Sequence, residues 1–137
     1  MTGAGAERWR GGIGALVGEA RALGGALLCA ACALVAYGIR YAFVEPETMG
    51  AACERTHPWW CPIRTGFIIF TEWRGFGWLA LALAAGAVAA VLARRTPRAR
   101  RYATAALIAG GFGMILYNAA LSIPAVVIAG LCLIRAR

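Results

Sequence analysis

"WLALALAAGAVAAVLARRTPRARRYATAALIAGGFG", residues 78–113, decides how this chain folds. Two runs of small and aliphatic residues flank a turn in which Arg94, Arg95, Arg98, Arg100 and Arg101 stand without an acid among them. A helix needs about 20 apolar residues to cross about 30 Å of hydrocarbon, and each run approaches that length. So short a connection makes the two helices antiparallel neighbours, with the arginines at the end where the chain returns to water.

Apolar windows counted outward from this hairpin give spans at 22–44, 74–93 and 102–119, with a shorter fourth at 122–135. The expected fold is an all-α integral membrane protein, a four-transmembrane-helix bundle forming one membrane domain over residues 1–137. Composition agrees, because 61% hydrophobic content exceeds the roughly 45 to 50% apolar usage of soluble domains and the mean hydropathy is positive, +0.69. All the bases are arginine, all the acids are glutamate, and glutamine and aspartate are absent, a choice that points to a GC-rich genome.

A net charge of +8 raises the question of nucleic acid, but the basic residues stand at the ends of apolar runs rather than on a solvated face. No nucleic-acid partner is expected, and membrane lipids are. Arg8, Arg10, Arg21, the 94–101 loop, Arg135 and Arg137 fall on one side, opposed only by Glu7 and Glu19. The positive-inside rule makes that side cytoplasmic. On the other side Arg40, Arg55, Arg64 and Arg74 are matched by Glu45, Glu47, Glu54 and Glu72. The expected location is a bacterial inner (plasma) membrane, multi-pass, with both termini cytoplasmic and residues 45–73 outside.

Residues 1–21 read as a cytoplasmic amphipathic segment, since Trp9, Ile13, Leu16 and Val17 recur at helical spacing. Cleavage as a signal peptide is not expected: the apolar run is too long, and the "CAAC" at 29–32 lacks the leucine that precedes a lipidated cysteine. Two arrangements fit 102–135. One helix kinked at Pro124 would be on the order of 50 Å long and would overrun the bilayer. The favoured reading turns at Asn118–Ser122 and sets Pro124 in the first turn of the fourth helix, where its missing N–H costs nothing.

Helices in lipid associate through close backbone approach, which small residues permit. Ala82, Gly86 and Ala90 supply one such face, Ala106, Gly110 and Gly113 another, and Gly25, Cys29, Cys32 and Ala36 a third. That last pattern makes Cys29 and Cys32 packing residues rather than a redox pair, and Cys132 reads the same way.

The outward cap, 45–73, differs in kind. Cys53 and Cys61 lie in an oxidising compartment and are expected to form a disulfide, stiffened by Pro58 and Pro62. "FIIFTEWRGFGW" reads as an interfacial helix broken at Gly75 and Gly77, and Trp59, Trp60, Trp73 and Trp78 fit an interfacial aromatic belt. Arg40, one turn inside the span, must snorkel or find a partner. The first candidate partner is Glu72 and the next Glu45, with Tyr117 and Asn118 completing a candidate outer polar cluster and His57 as a lone titrating group. No metal site is expected.

The chain has no Walker loop, nucleophile elbow or HExxH, nor a serine, histidine and acid set on one surface. The leading expectation is a small non-enzymatic accessory or assembly subunit of a larger membrane complex, docking through its cap and small-residue faces, without a cofactor. Four spans, outward cysteines and Arg64 directly after Cys61, Pro62 and Ile63 are similar in outline to the DsbB and vitamin K epoxide reductase families. That resemblance implies a quinone-linked thiol-disulfide oxidoreductase. Those families carry an outward CxxC and a second outward cysteine pair; here the outward cysteines are more widely spaced and the last outer turn has none. A third reading is a small homo-oligomeric transporter or lipid-handling protein, for which only Glu72 offers a carboxylate near the membrane.

Overall fold

Alanine, leucine and arginine, the strongest helix formers, fill the runs on either side of the arginine turn. The computed structural model shows helices there and along most of the chain. Residues 3–136 are described, with side chains from Leu16 onward; the side chains of Trp9 and Ile13, on which the amphipathic reading of 1–21 rests, lie outside the described residues. Helix α1 spans Gly3–Ile39 and passes into a π-helical turn, Arg40–Val44. Then follow α2 (Glu47–Thr56), α3 (Cys61–Glu72), α4 (Gly75–Leu92), α5 (Thr96–Ile115) and α6 (Ala119–Arg135). No strand occurs among the described residues. Leu16–Val44 and Gly75–Leu92 are long and apolar enough to cross a membrane, whereas Ala119–Arg135 is a shorter apolar helix.

Helices α4, α5 and α6 pack on one another, and α1 lies against the α5–α6 pair. The interface residues are small. Ala80, Ala84, Ala87, Ala103, Ala106, Ala125 and Ala129 are fully buried or nearly so, and Leu107 and Leu133 fill the wider spaces. A single methyl per turn lets two backbones approach until their whole surfaces are in dispersion contact. Gly111 marks a close approach to the backbone of α1: a Cβ there would stand 2.7 Å from the Cys29 carbonyl oxygen. The expected face Ala106, Gly110 and Gly113 is buried, as are Gly25, Cys29 and Ala36 on α1. On α4 the buried stripe is Gly77, Ala80, Ala84, Ala87 and Ala90; Ala82 points outward and Gly86 receives the ring of Tyr102.

The corners correct two expectations. Residues 102–135 form a hairpin, and its turn lies at Leu116–Asn118, earlier than Asn118–Ser122. Pro124 consequently sits in the second turn of α6, where the Ala120 carbonyl loses its helical donor. The turn closes when Asn118 N–H donates to Gly113 O at 2.9 Å, with Tyr117 left-handed at φ 62°. The α4–α5 turn closes likewise, Arg95 N–H donating to Ala90 O at 2.8 Å and Arg94 N–H to Val91 O at 3.0 Å, with Arg94 at φ 55°. Both are Schellman closures in which a side-chain-bearing residue occupies the position that usually holds glycine. At this end Ala90, Ala99 and Ala136 form a small buried cluster, and Arg21 donates to Ala136 O at 3.0 Å.

Candidate functional site

An α-helix brings residues three or four apart onto one face, so Arg40 and Glu45 would diverge in one. The π turn changes that. Glu45 N–H donates to Arg40 O at 2.9 Å, an i→i+5 bond, and the wider turn brings the two side chains together. Arg40 Nε donates to Glu45 Oε1 at 2.7 Å, and its Nη1 donates to Ile115 O at 3.0 Å. The guanidinium lies 4.2 Å from the Tyr117 ring centroid and 5.3 Å from that of Tyr41. Tyr117 Oη donates to the same Glu45 oxygen at 2.7 Å. The left-handed backbone of Tyr117 thus turns its ring onto Arg40 and its hydroxyl onto Glu45, so that α1 and the α5–α6 corner are joined by one cluster.

The Tyr117 hydroxyl, and after it Arg40, hold the Glu45 carboxyl below its ordinary value. Glu45 is ionised at neutral pH and suited to charge pairing rather than to taking up a proton. A second arginine finishes the turn. Arg64 on α3 donates from Nε to Phe43 O at 3.0 Å and from Nη2 to Val44 O at 2.7 Å, which fixes the cap to the end of α1. Trp60 packs on Phe43 with ring centroids 5.8 Å apart.

Cys53 and Cys61 are joined in a disulfide that ties the end of α2 to the start of α3. His57, left-handed at φ 43°, caps α2 and is exposed. It lines a cavity of about 740 Å³ with the disulfide, Glu54, Trp59 and Thr65, away from Arg40. Cys29 and Cys132 are buried free thiols, and Cys32 is half-buried. Among the described residues no group of histidine, cysteine and acid is placed to hold a metal.

Of the expected cluster, the structure brings together Arg40, Glu45 and Tyr117. Glu72 is exposed and is not the partner of Arg40: it ends α3, while Glu45 is carried to the arginine by the π turn. Asn118 faces inward instead. Its Nδ2 donates to Thr71 O at 3.1 Å and also to Leu116 O, pinning the α3–α4 corner to the α5–α6 corner. Asn118 Oδ1 and the fully buried Ser122 Oγ have no partner within the described residues. Trp59 and Trp73 project outward, about four-fifths exposed, and Trp78 is also exposed, whereas Trp60 is tucked against Phe43. Arg94, Arg95, Arg98, Arg100 and Arg101 are all exposed.

The sequence reading overlooked Arg64 as the residue that binds the carbonyls at the end of α1. Its signal was available: an arginine one turn into a helix whose proline-bearing start follows a cysteine fixed by a disulfide. No known protein family, curated protein or solved structure matches the chain.

Proposed function

We propose that the chain is a four-span protein of the bacterial inner membrane that serves as a non-enzymatic accessory or assembly subunit of a larger membrane complex. In this reading the arginine end is cytoplasmic and the disulfide-stapled cap is outside, in keeping with the positive-inside rule. The observation that carries the subunit role is the free face of α1. Leu16, Leu23, Leu27 and Leu34 are 66%, 63%, 63% and 72% exposed. Gly24 stands between Leu23 and Leu27 and Gly38 one turn beyond Leu34, and at either an added Cβ would meet nothing within 4 Å. Glycine inside a helix costs about 0.5 to 1 kcal/mol relative to alanine, and at these two positions no contact within the chain calls for it. A second helix packed on α1 gives it a use, because close backbone approach drives association in lipid.

The thiol-disulfide alternative needs a second cysteine pair close to Cys53 and Cys61, and the remaining cysteines lie in α1 and α6. The test is photo-crosslinking in native membranes from a reactive residue placed at Leu27, with Val127 on α6 as the control position. A discrete heterologous protein adduct from Leu27 and none from Val127 is expected. Adducts to lipid alone from both positions would sink the subunit role, and an adduct to a second copy of the chain would replace it with self-assembly.

A further inference from the structure

Among the described residues no acid pairs with the arginines of the 94–101 turn. No acid occurs anywhere in residues 73–137, so α4, α5 and α6 contain none. Arg100 and Arg101 are exposed and make no side-chain hydrogen bond or ion pair within the described residues. They line a shallow, open depression of about 550 Å³ on one face of α5 with Pro97, Thr104, Ala105 and Ile108. A second depression of about 330 Å³ continues from it, sharing Ala105 and Ile108 and running on between Leu79, Leu83, Phe76 and Phe112. Together they make one groove along α5, basic at one end and lined farther along only by hydrocarbon side chains. The Tyr102 ring, seated on Gly86, fills the neighbouring strip of the α4–α5 seam.

We propose that this groove binds one anionic phospholipid, with the phosphate between Arg100 and Arg101 and one acyl chain laid along Ala105, Ile108 and Phe112. Thr104, one turn farther in, offers its hydroxyl at the level of the ester linkages. The lengths agree: from Arg101 to Phe112 the helix rises about 16 Å, half the roughly 30 Å hydrocarbon core and so the depth of one leaflet. Charge selects the occupant, since unpaired arginines beside an apolar trough favour an anionic head over a zwitterionic one. The proposal rests on the membrane reading given above but needs no protein partner.

The full chain in an uncharged detergent is titrated with phosphatidylglycerol and, separately, with phosphatidylcholine, and retained lipid is read by native mass spectrometry. Phosphatidylglycerol should be held about thirtyfold more tightly, the combined contribution of two arginines near the surface. Replacing both residues, Arg100→Ala with Arg101→Ala, should abolish that preference. Removing the same charge from the turn itself, Arg94→Ala with Arg95→Ala, should leave most of it. Ala105→Trp, which fills the trough and spares the arginines, should weaken retention of phosphatidylglycerol; Ile108→Trp at an exposed position makes the same test if the first variant does not fold. Equal retention of the two lipids, equal loss in both double variants, or displacement of lipid by millimolar inorganic phosphate would overturn the groove. Flotation with phosphatidylcholine vesicles reads membrane insertion separately, and failure to float would overturn both the membrane reading and the site. A chain that retains phosphatidylglycerol selectively yet crosslinks to no protein from Leu27 would keep this site and sink the subunit role.

Discussion

The two ends of the bundle are built from opposite materials. At the cap end Arg40 has a carboxylate, a carbonyl and two rings, Arg64 has two carbonyls, and a disulfide closes the loop between α2 and α3. At the arginine end, order comes from three buried alanines and a Schellman turn, and the loop arginines are left exposed. The cap end uses Arg40, Glu45 and Arg64 within the fold. The loop arginines make no such contact among the described residues, so on the proposed reading stability and lipid binding should separate when the two ends are altered.

The largest effect should come from the covalent closure. Replacing Cys53 and Cys61 together with serine should cost about 2 to 3 kcal/mol, the chain-entropy value for so short a loop, read as a lowered unfolding midpoint in detergent. No loss would show that Arg64 and Trp60 hold the cap unaided. Next, Ala99→Leu should cost about 1 to 3 kcal/mol, because that fully buried methyl has no room to grow at the arginine end. A tolerated leucine would break the claim that this end is held by close packing.

A smaller effect sharpens the polar side. Arg40→Ala and Glu45→Gln should be coupled in a double-mutant cycle, whereas Arg40→Ala and Glu72→Gln should be additive. The coupling should depend on pH in one direction. Because the folded Glu45 carboxyl lies below its ordinary value, its stabilisation is complete above the ordinary glutamate pKa of about 4.3 and is lost as pH falls through the lower folded value. Coupling that persisted well below that window would mean that Tyr117, not Glu45, is the main partner of Arg40. The smallest effect has the opposite sign: Arg94→Gly should stabilise the chain by up to about 1 kcal/mol, since glycine fits the left-handed turn better than arginine. Destabilisation would show that the Arg94 side chain does more in the fold than carry charge.

The apolar helices, the arginine bias and the disulfide were legible in the sequence because each depends on composition and short-range spacing. The arrangement of the cluster was not. Arg40 and Glu45 lie five apart, a spacing that α-helical geometry sends to different faces, so Glu72 looked the better partner. The turn at Leu116–Asn118 was hidden for a related reason: a tyrosine, not a glycine, takes the left-handed position, and no local signal marks it. Asn118 was placed with Arg40 on proximity to the outer end alone, and the buried Thr71 carbonyl claimed it instead.

The π turn also acts as a phase setter. Arg40–Val44 accommodates one residue more than an α-helical closure would, and α2 and α3 leave the bundle in the direction that this extra residue dictates. Deleting a single residue from 41–44 would restore an ordinary helix and turn the direction in which the chain leaves it toward α2 by about 100° about the axis of α1, while α1 stays packed on α5 and α6. The cap would then keep its sequence and its disulfide while facing a different neighbour. One residue of length, with the Arg64 contacts to the same turn, sets which way the cap looks.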